Sequence, residues 1–172
     1  ISDPDRTVRL TAAGVLSNKS ALDPAAALLA QLQQEKDGSV ALSLFRALGE
    51  ACFFAFSPGS PIKLDSAMRD QTLALAADYV RSDREPEAVA GAEVIRKLLE
   101  LDGIAEEKTA EYLNLLARRY SRAAEQHQAP RLRAQLLGEM ARLSARGAQR
   151  KHGGDLYAGL FLAGLADASS LV

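Results

Sequence analysis

Histidine is the side chain that most often transfers protons or binds metal near neutral pH, and this chain has two, His127 and His152. Neither is accompanied by a cysteine or by paired acids at the spacing that a zinc site uses. The sequence also lacks the HExxH, G-x-S-x-G, Walker and G-x-G-x-x-G patterns. We therefore expect no metal, no cofactor and no catalytic residue, and we expect that the protein is not an enzyme.

Arginine is the other residue type whose placement suggests chemistry. Nine basic residues against two acidic ones lie between Tyr112 and Gly153, although the whole chain has a formal net charge of -1. Such a cluster can dock an acidic protein or a phosphate backbone, because a guanidinium makes paired contacts to both. A solvated helix face, with arginines paired to acids of neighbouring helices, explains the same pattern. The candidate partner-binding residues are Arg118, Arg119, Arg122, Arg131 and Arg133.

Composition favours a helical protein. Hydrophobic residues make up 48% of the chain and aromatic residues 5%, and alanine and leucine dominate over β-branched residues. The single cysteine, Cys52, cannot form an internal disulfide and is expected to be buried. The longest weakly polar run, Leu156 to Ala166, is about half the length of a membrane-spanning helix, so we expect no membrane span. The sequence shows no signal-peptide pattern. The compartment is unknown, with the cytoplasm slightly favoured.

Apolar residues recur at helical spacing in about eight segments. The first predicted helix covers Asp3 to Leu16, with Asp3 or Ser2 as its cap and Pro4 in its first turn. The seven that follow are predicted around Asp23 to Lys36, Val40 to Cys52, Asp65 to Arg81, Val89 to Leu99, Glu106 to Ala124, Leu132 to Leu143 and Leu156 to Ala166. Arg146 to Gly154 is predicted to be a basic loop.

The predicted helices come in pairs that repeat along the chain. Equivalent positions, each opening the second helix of a pair, are separated by about 41 residues on average. These positions are Val8, Val40, Val89, Leu132 and Val172. A repeat of this length that holds two helices is typical of α-solenoids.

Residues around these positions resemble the HEAT repeats of the armadillo-like α-solenoid family. The HEAT pattern begins its second helix with Val-Arg and continues with Ala and Leu four and eight residues later. The match is close at Val8-Arg9, Ala12 and Leu16, lacks the arginine at Val40, Leu44 and Leu48, and is loose at Leu132-Arg133, Leu136 and Met140. The segment at Val89 departs most, with Ala90 in the arginine position and Glu93 where a small residue is expected.

The resemblance implies an all-α protein, an α-α superhelix of about eight helices in antiparallel pairs. Residues 1–172 would form a single solenoid segment, interpreted as an excerpt of a longer repeat array. Such arrays commonly act as non-catalytic scaffolds that bind a protein partner along a concave surface lined by the second helices. Arg131 and Arg133 would open one of those helices.

Two other functions fit the resemblance. One is nucleic-acid or phosphate-backbone binding through the arginine cluster. The other is a HEAT-fold enzyme, such as a DNA glycosylase-like or lyase-like protein. The chain lacks the tryptophan expected of the glycosylase-like arrays, and neither histidine is followed by the glutamate that iron-dependent HEAT-fold hydroxylases need.

The opening helix is expected to be the second helix of a repeat whose first helix is missing from this sequence. Asp3 precedes Val8 by the same spacing that separates Asp167 from Val172. We therefore expect an exposed apolar surface near Val8, Ala12 and Leu16.

Overall fold

The computed structural model describes residues 3–17, 23–101, 103–126 and 130–149, and this part of the chain is helical apart from short connections. Its seven helices are α1 (Arg6–Ser17), α2 (Ala25–Gln34), α3 (Gly38–Phe56), α4 (Ser66–Arg81), α5 (Glu85–Leu99), α6 (Glu106–Glu125) and α7 (Pro130–Gln149). The all-α prediction is confirmed for these residues. The predicted eighth helix, both histidines and the segment 167–172 lie outside the described residues.

The start of α1 differs from its prediction. The Asp5 carboxylate accepts the Thr7 N–H at 2.7 Å, and the Asp5 carbonyl accepts the Arg9 N–H at 3.2 Å, so Asp5 is the capping residue. Asp3 instead accepts the N–H of Asp5 at 2.8 Å and stabilises the turn before the helix. The expected cap at Asp3 is therefore wrong, and Pro4 precedes the helix rather than joining its first turn.

The described residues divide into two compact units, with the division between Leu75 and Ala76 inside α4. In the N-terminal unit, α1 and α2 both pack on α3. The buried side of α3 is largely aliphatic and recurs at helical spacing, with Val40, Leu44, Phe45, Leu48, Cys52 and Ala55 among its members. Burial of this face is what holds the three helices together.

The α3 helix is also the described helix that is long and apolar enough, by length and composition alone, to cross a membrane. Core helices of soluble proteins pass the same test, and α3 is covered by α1 and α2. It also carries two charged residues, Arg46 and Glu50. The absence of a membrane span stays a prediction.

Charged residues attach α1 to the connection between α2 and α3. Arg9 donates from Nε and Nη2 to the two carboxylate oxygens of Glu35, at 2.8 and 3.2 Å. Arg6 pairs with Asp37 at 2.9 Å, and Asp37 also caps α3 by accepting the N–H groups of Ser39 and Val40. Glu35 and Asp37, in the short connection between α2 and α3, therefore bind α1, and Asp37 also caps α3.

In the C-terminal unit, which begins at Ala76, α5 and α6 both pack on α7. The last turns of α4 approach α5 so closely that a Cβ at Gly91 would lie 2.6 Å from the Ala76 carbonyl oxygen and 2.7 Å from the Val80 nitrogen. Glycine is therefore required at this crossing, because both of those atoms belong to the backbone.

The α7 helix is longer than its sequence predicted. It runs from Pro130 to Gln149, so Arg146 lies in a helix, and the prediction that the basic loop starts there is wrong. The residues between Ser144 and Gln149 are mostly good helix formers, and the single Gly147 costs only about 1 kcal/mol in a helix interior.

Four of the five anchor positions of the predicted repeat lie in the described residues, and their environments differ. Val40 and Leu132 are fully or almost fully buried, whereas Val89 is half-buried. Val8 is 48% exposed, and Val15, which lies two turns later on the same face of α1, is 49% exposed. The expected apolar surface on α1 is confirmed at Val8, while Ala12 and Leu16 are half-buried.

Candidate functional site

The one described cysteine is not a nucleophile at neutral pH. Cys52 is buried, and its Sγ lies 3.3 Å from the Thr72 hydroxyl. Burial raises the pKa of the Cys52 thiol to about 11, so the reactive thiolate is scarce. Within the described part of the chain, no three His, Cys, Asp or Glu side chains are grouped as a metal site would need.

The five candidate arginines have distinct environments, and Arg119 is the most enclosed. It is 4% exposed, on the face of α6 that also carries Tyr112, Leu116, Tyr120 and Ala123. Its Nε donates to the Val80 carbonyl at 3.2 Å and its Nη2 to the Ser82 carbonyl at 3.3 Å. Arg119 thus satisfies carbonyl groups left free where α4 ends.

The surroundings of Arg119 weaken its preference for the charged form. Burial, followed by the nearby positive charge of Arg122, lowers the pKa of the Arg119 guanidinium from its ordinary value. Arg122 lies at the surface one turn from Arg118, and its Nη2 pairs with Asp83 at 3.0 Å. Exposed pairs of this kind contribute at most about 1 kcal/mol, so Arg122 can exchange its partner.

Arg118 is exposed and forms no ion pair or hydrogen bond with another described residue. It lines a surface cavity of about 140 Å³ together with residues from the end of α4 and from α6. We call this feature the arginine cavity; its lining is Val80, Arg81, Leu115, Arg118, Arg119 and Arg122. Four guanidinium groups from two helices therefore surround a site with two aliphatic residues in its wall.

Arg131 and Arg133 lie apart from the arginine cavity, in the first turn of α7. Arg131 is exposed and lines a second cavity of about 250 Å³ with Gln135, Glu139 and Arg142, all on α7. Arg133 is half-buried and already interacts with other residues of the protein. The structure therefore places the five candidate residues at two places on the C-terminal unit rather than on one continuous strip.

A buried ion-pair network joins α5 to α7, and sequence reasoning missed it. Glu139 is 1% exposed and pairs through Oε2 with Nε of Arg96. Its Oε1 accepts from Gln135 at 2.6 Å and from Arg142 at 3.1 Å. Glu139 falls within the apolar stripe of α7, between Leu136 and Leu143, and that position was the available signal.

Arg96 is the centre of this network. Its Nη1 donates to Glu100 at 2.7 Å, one turn later on α5. Burial lowers the pKa of Arg96, but the hydrogen bonds and negative charges of Glu100 and Glu139 outweigh burial and leave that pKa raised. The network therefore holds its charges in place and acts structurally between α5 and α7.

Comparison of the chain with protein-family models, with curated proteins and with solved structures found no match. The HEAT resemblance therefore stays a prediction. Function is inferred below from the packing of the helices and from the environments of the charged residues.

Proposed function

We propose that the protein is a non-catalytic helical-repeat scaffold of the HEAT type that binds a protein partner. The supporting observation is that helices two apart in the chain pack side by side. In the N-terminal unit α1 packs on α3, and in the C-terminal unit α5 packs on α7. These are the helices that carry four of the five repeat anchors, Val8, Val40, Val89 and Leu132.

The intervening helices complete the repeat pattern within each unit. The α2 helix packs on α3, and α6 packs on α7, so α3 and α7 each contact both their own partner helix and the preceding anchor helix of the same unit. Stacking of this kind is how α-solenoids build a continuous core from units that cannot fold alone. We infer antiparallel pairs of about 41 residues as the repeating unit.

The distribution of charge supports a protein partner over a nucleic acid. Part of the described basic cluster already has partners within the protein: Arg119 binds backbone carbonyl groups, and the exposed Arg142 contacts Glu139. Among the residues that the structure describes, the exposed Arg118 and Arg131 line two separate cavities instead of one shared groove. Nucleic-acid binding usually relies on several phosphate contacts in a row.

Affinity capture tests this proposal. The immobilised protein is incubated with a lysate of its source cells, with and without nuclease, and each captured protein is purified and titrated back. We expect a protein that survives nuclease treatment and rebinds the purified scaffold at a fixed stoichiometry. Capture that disappears with nuclease favours the nucleic-acid alternative, and the absence of any rebinding protein contradicts the scaffold proposal.

A further inference from the structure

The arginine cavity combines an aliphatic wall with a positive rim. Leu115 is half-buried and gives the wall an apolar surface that a ligand can reach, whereas Val80 has no exposed surface. The volume of about 140 Å³ is similar to that of cavities of about 150 Å³ that hold a benzene-sized group. One aliphatic side chain from a ligand therefore fits the space between α4 and α6.

Three guanidinium groups at the rim are accessible to a ligand. Arg118 has no described ion-pair partner, and Arg81 and Arg122 each have one exposed acidic partner, Asp78 and Asp83. Exposed pairs are weak and exchange readily with other carboxylates. Arg119 lies below them with its side chain fixed by two backbone carbonyls, and adds positive charge from within.

Acidic residues on α6 limit the length of the positive surface around Arg118. Glu111 precedes Arg118 by two turns, and Glu125 ends the helix; both are exposed. Asp78 and Asp83 add negative charge at the end of α4, where their side chains are 72% and 76% exposed. A long polyanion crossing the site would meet these acids, whereas a short segment can reach the arginines alone.

We propose that the arginine cavity binds a short acidic peptide segment of a partner protein, with an aliphatic side chain against Leu115 and carboxylates on Arg118 and Arg122. This assignment rests on the proposed scaffold function, because it requires that the partner is a protein. A carboxylate suits this rim, since a guanidinium binds it with two parallel hydrogen bonds. Leucine or isoleucine flanked by Asp or Glu is the expected sequence character of the segment.

The test is a fluorescence-anisotropy titration with a labelled peptide, Glu-Asp-Glu-Leu-Asp-Glu. We expect saturable binding to the full chain. Arg118→Glu should weaken it at least tenfold or so, because the variant removes a charged contact and adds a repelling carboxylate. Arg118 is exposed, so the variant should keep the circular dichroism spectrum and melting temperature of the wild type.

Arg131→Glu is the matched control, because it makes the same change of net charge at an exposed arginine outside the arginine cavity. It should leave binding within about twofold of the wild type. A peptide with each acid replaced by its amide, and one with glycine in place of leucine, should both bind more weakly. Equal losses for Arg118→Glu and Arg131→Glu would show nonspecific attraction and overturn the assignment.

The assignment and the scaffold function fail in different ways. If the peptide does not bind, but a captured protein rebinds the scaffold and ignores Arg118→Glu, the arginine cavity is not the docking site and the scaffold function stands. If an RNA oligonucleotide binds and the peptide does not, the peptide assignment is overturned in favour of a phosphate ligand. If the wild-type protein binds neither the peptide nor any captured protein, both proposals are overturned.

Discussion

Arg119 of α6 donates from Nε to the carbonyl oxygen of Val80 in α4, 3.2 Å away. A second bond, from Nη2 to the Ser82 carbonyl at 3.3 Å, fixes the same side chain to the α4–α5 connection. One arginine of the basic cluster therefore completes the end of a helix. Its neighbour Arg118 faces solvent, so two successive residues of the same type have a structural and a proposed binding role.

Replacing Arg119 with alanine is expected to lower the free energy of unfolding by about 2–4 kcal/mol, because one buried and one partly buried carbonyl group lose a charged donor. Arg118→Ala, which removes an exposed side chain, is expected to change it by no more than about 0.5 kcal/mol. Urea denaturation followed by circular dichroism measures both values. Similar losses for the two variants would contradict the structural role of Arg119.

The two arginines that pair with Glu139, Arg96 and Arg142, are expected to differ in how much they contribute to stability. Arg96→Met leaves the carboxylate of Glu139, which is 1% exposed, with only Gln135 and the exposed Arg142, and should destabilise the protein by about 3–5 kcal/mol. Arg142→Met removes a partner whose side chain is 62% exposed and should cost less than about 1 kcal/mol.

The double variant Arg96→Met with Glu139→Leu should recover part of the lost stability, since it removes both charges from the interface between α5 and α7. Thermal denaturation of Arg96→Met, Glu139→Leu and the double variant, each compared with the wild type, gives the coupling between Arg96 and Glu139. Additive effects of the two substitutions would contradict a direct interaction.

Replacing a helical glycine with alanine is expected to change stability in opposite directions at Gly91 and Gly138. Gly91→Ala places a methyl group 2.6 Å from the Ala76 carbonyl oxygen, and we expect a loss of about 1–3 kcal/mol as α4 and α5 move apart. A Cβ at Gly138 meets nothing within 4 Å, so Gly138→Ala should stabilise α7 by about 0.4–1 kcal/mol. Chemical denaturation of both variants decides the matter, and a stabilised Gly91→Ala protein would contradict the close crossing.

The protein is expected to become less stable in acid, because the carboxylates of Glu35 and Asp37 between α2 and α3 become protonated. The pKa of Glu35 is lowered from 4.5, first by the backbone N–H of Asp37 and then by Arg9, and that of Asp37 from 3.8, first by the N–H of Val40. Because both folded pKa values lie below the unfolded ones, this stabilisation is complete above the unfolded values and is lost as pH falls below them.

Glu35→Gln should therefore reduce the difference in melting temperature between pH 7 and pH 3, because the amide cannot be protonated in this range. The Arg9 interaction weakens in the variant, so it should also melt below the wild type at pH 7. A variant whose melting temperature falls as far in acid as that of the wild type would show that Glu35 does not contribute.

The helices themselves were predictable from the period of their apolar residues, and the sequence placed most of them within a few residues. The start of α1 was misjudged because Asp3 and Asp5 are both suitable caps, and only the turn geometry selects Asp5. The end of α7 was misjudged because the basic, glycine-containing segment that starts at Arg146 was interpreted as a loop. Local sequence rules do not choose between such alternatives.

The excess of arginine in this part of the chain could be seen in the sequence. Which arginines are buried and which are exposed could be predicted only in part. Helical spacing already places Arg119 with Leu116, Tyr120 and Ala123, so its burial had a signal in the sequence. Its partners, the carbonyl groups of Val80 and Ser82, are 39 and 37 residues away along the chain. Contacts of that separation depend on the packing of α4 against α6, which no local pattern specifies.

The most direct test of the functional account is the salt dependence of two ligands on the same protein. The acidic peptide and a single-stranded RNA oligonucleotide are each titrated at about 50 mM and about 200 mM salt. We expect the peptide to bind more tightly and to lose less than about tenfold in affinity, because it makes few ionic contacts. Tighter RNA binding that falls by about a thousandfold over this range would contradict a protein-binding scaffold and indicate a nucleic-acid binder.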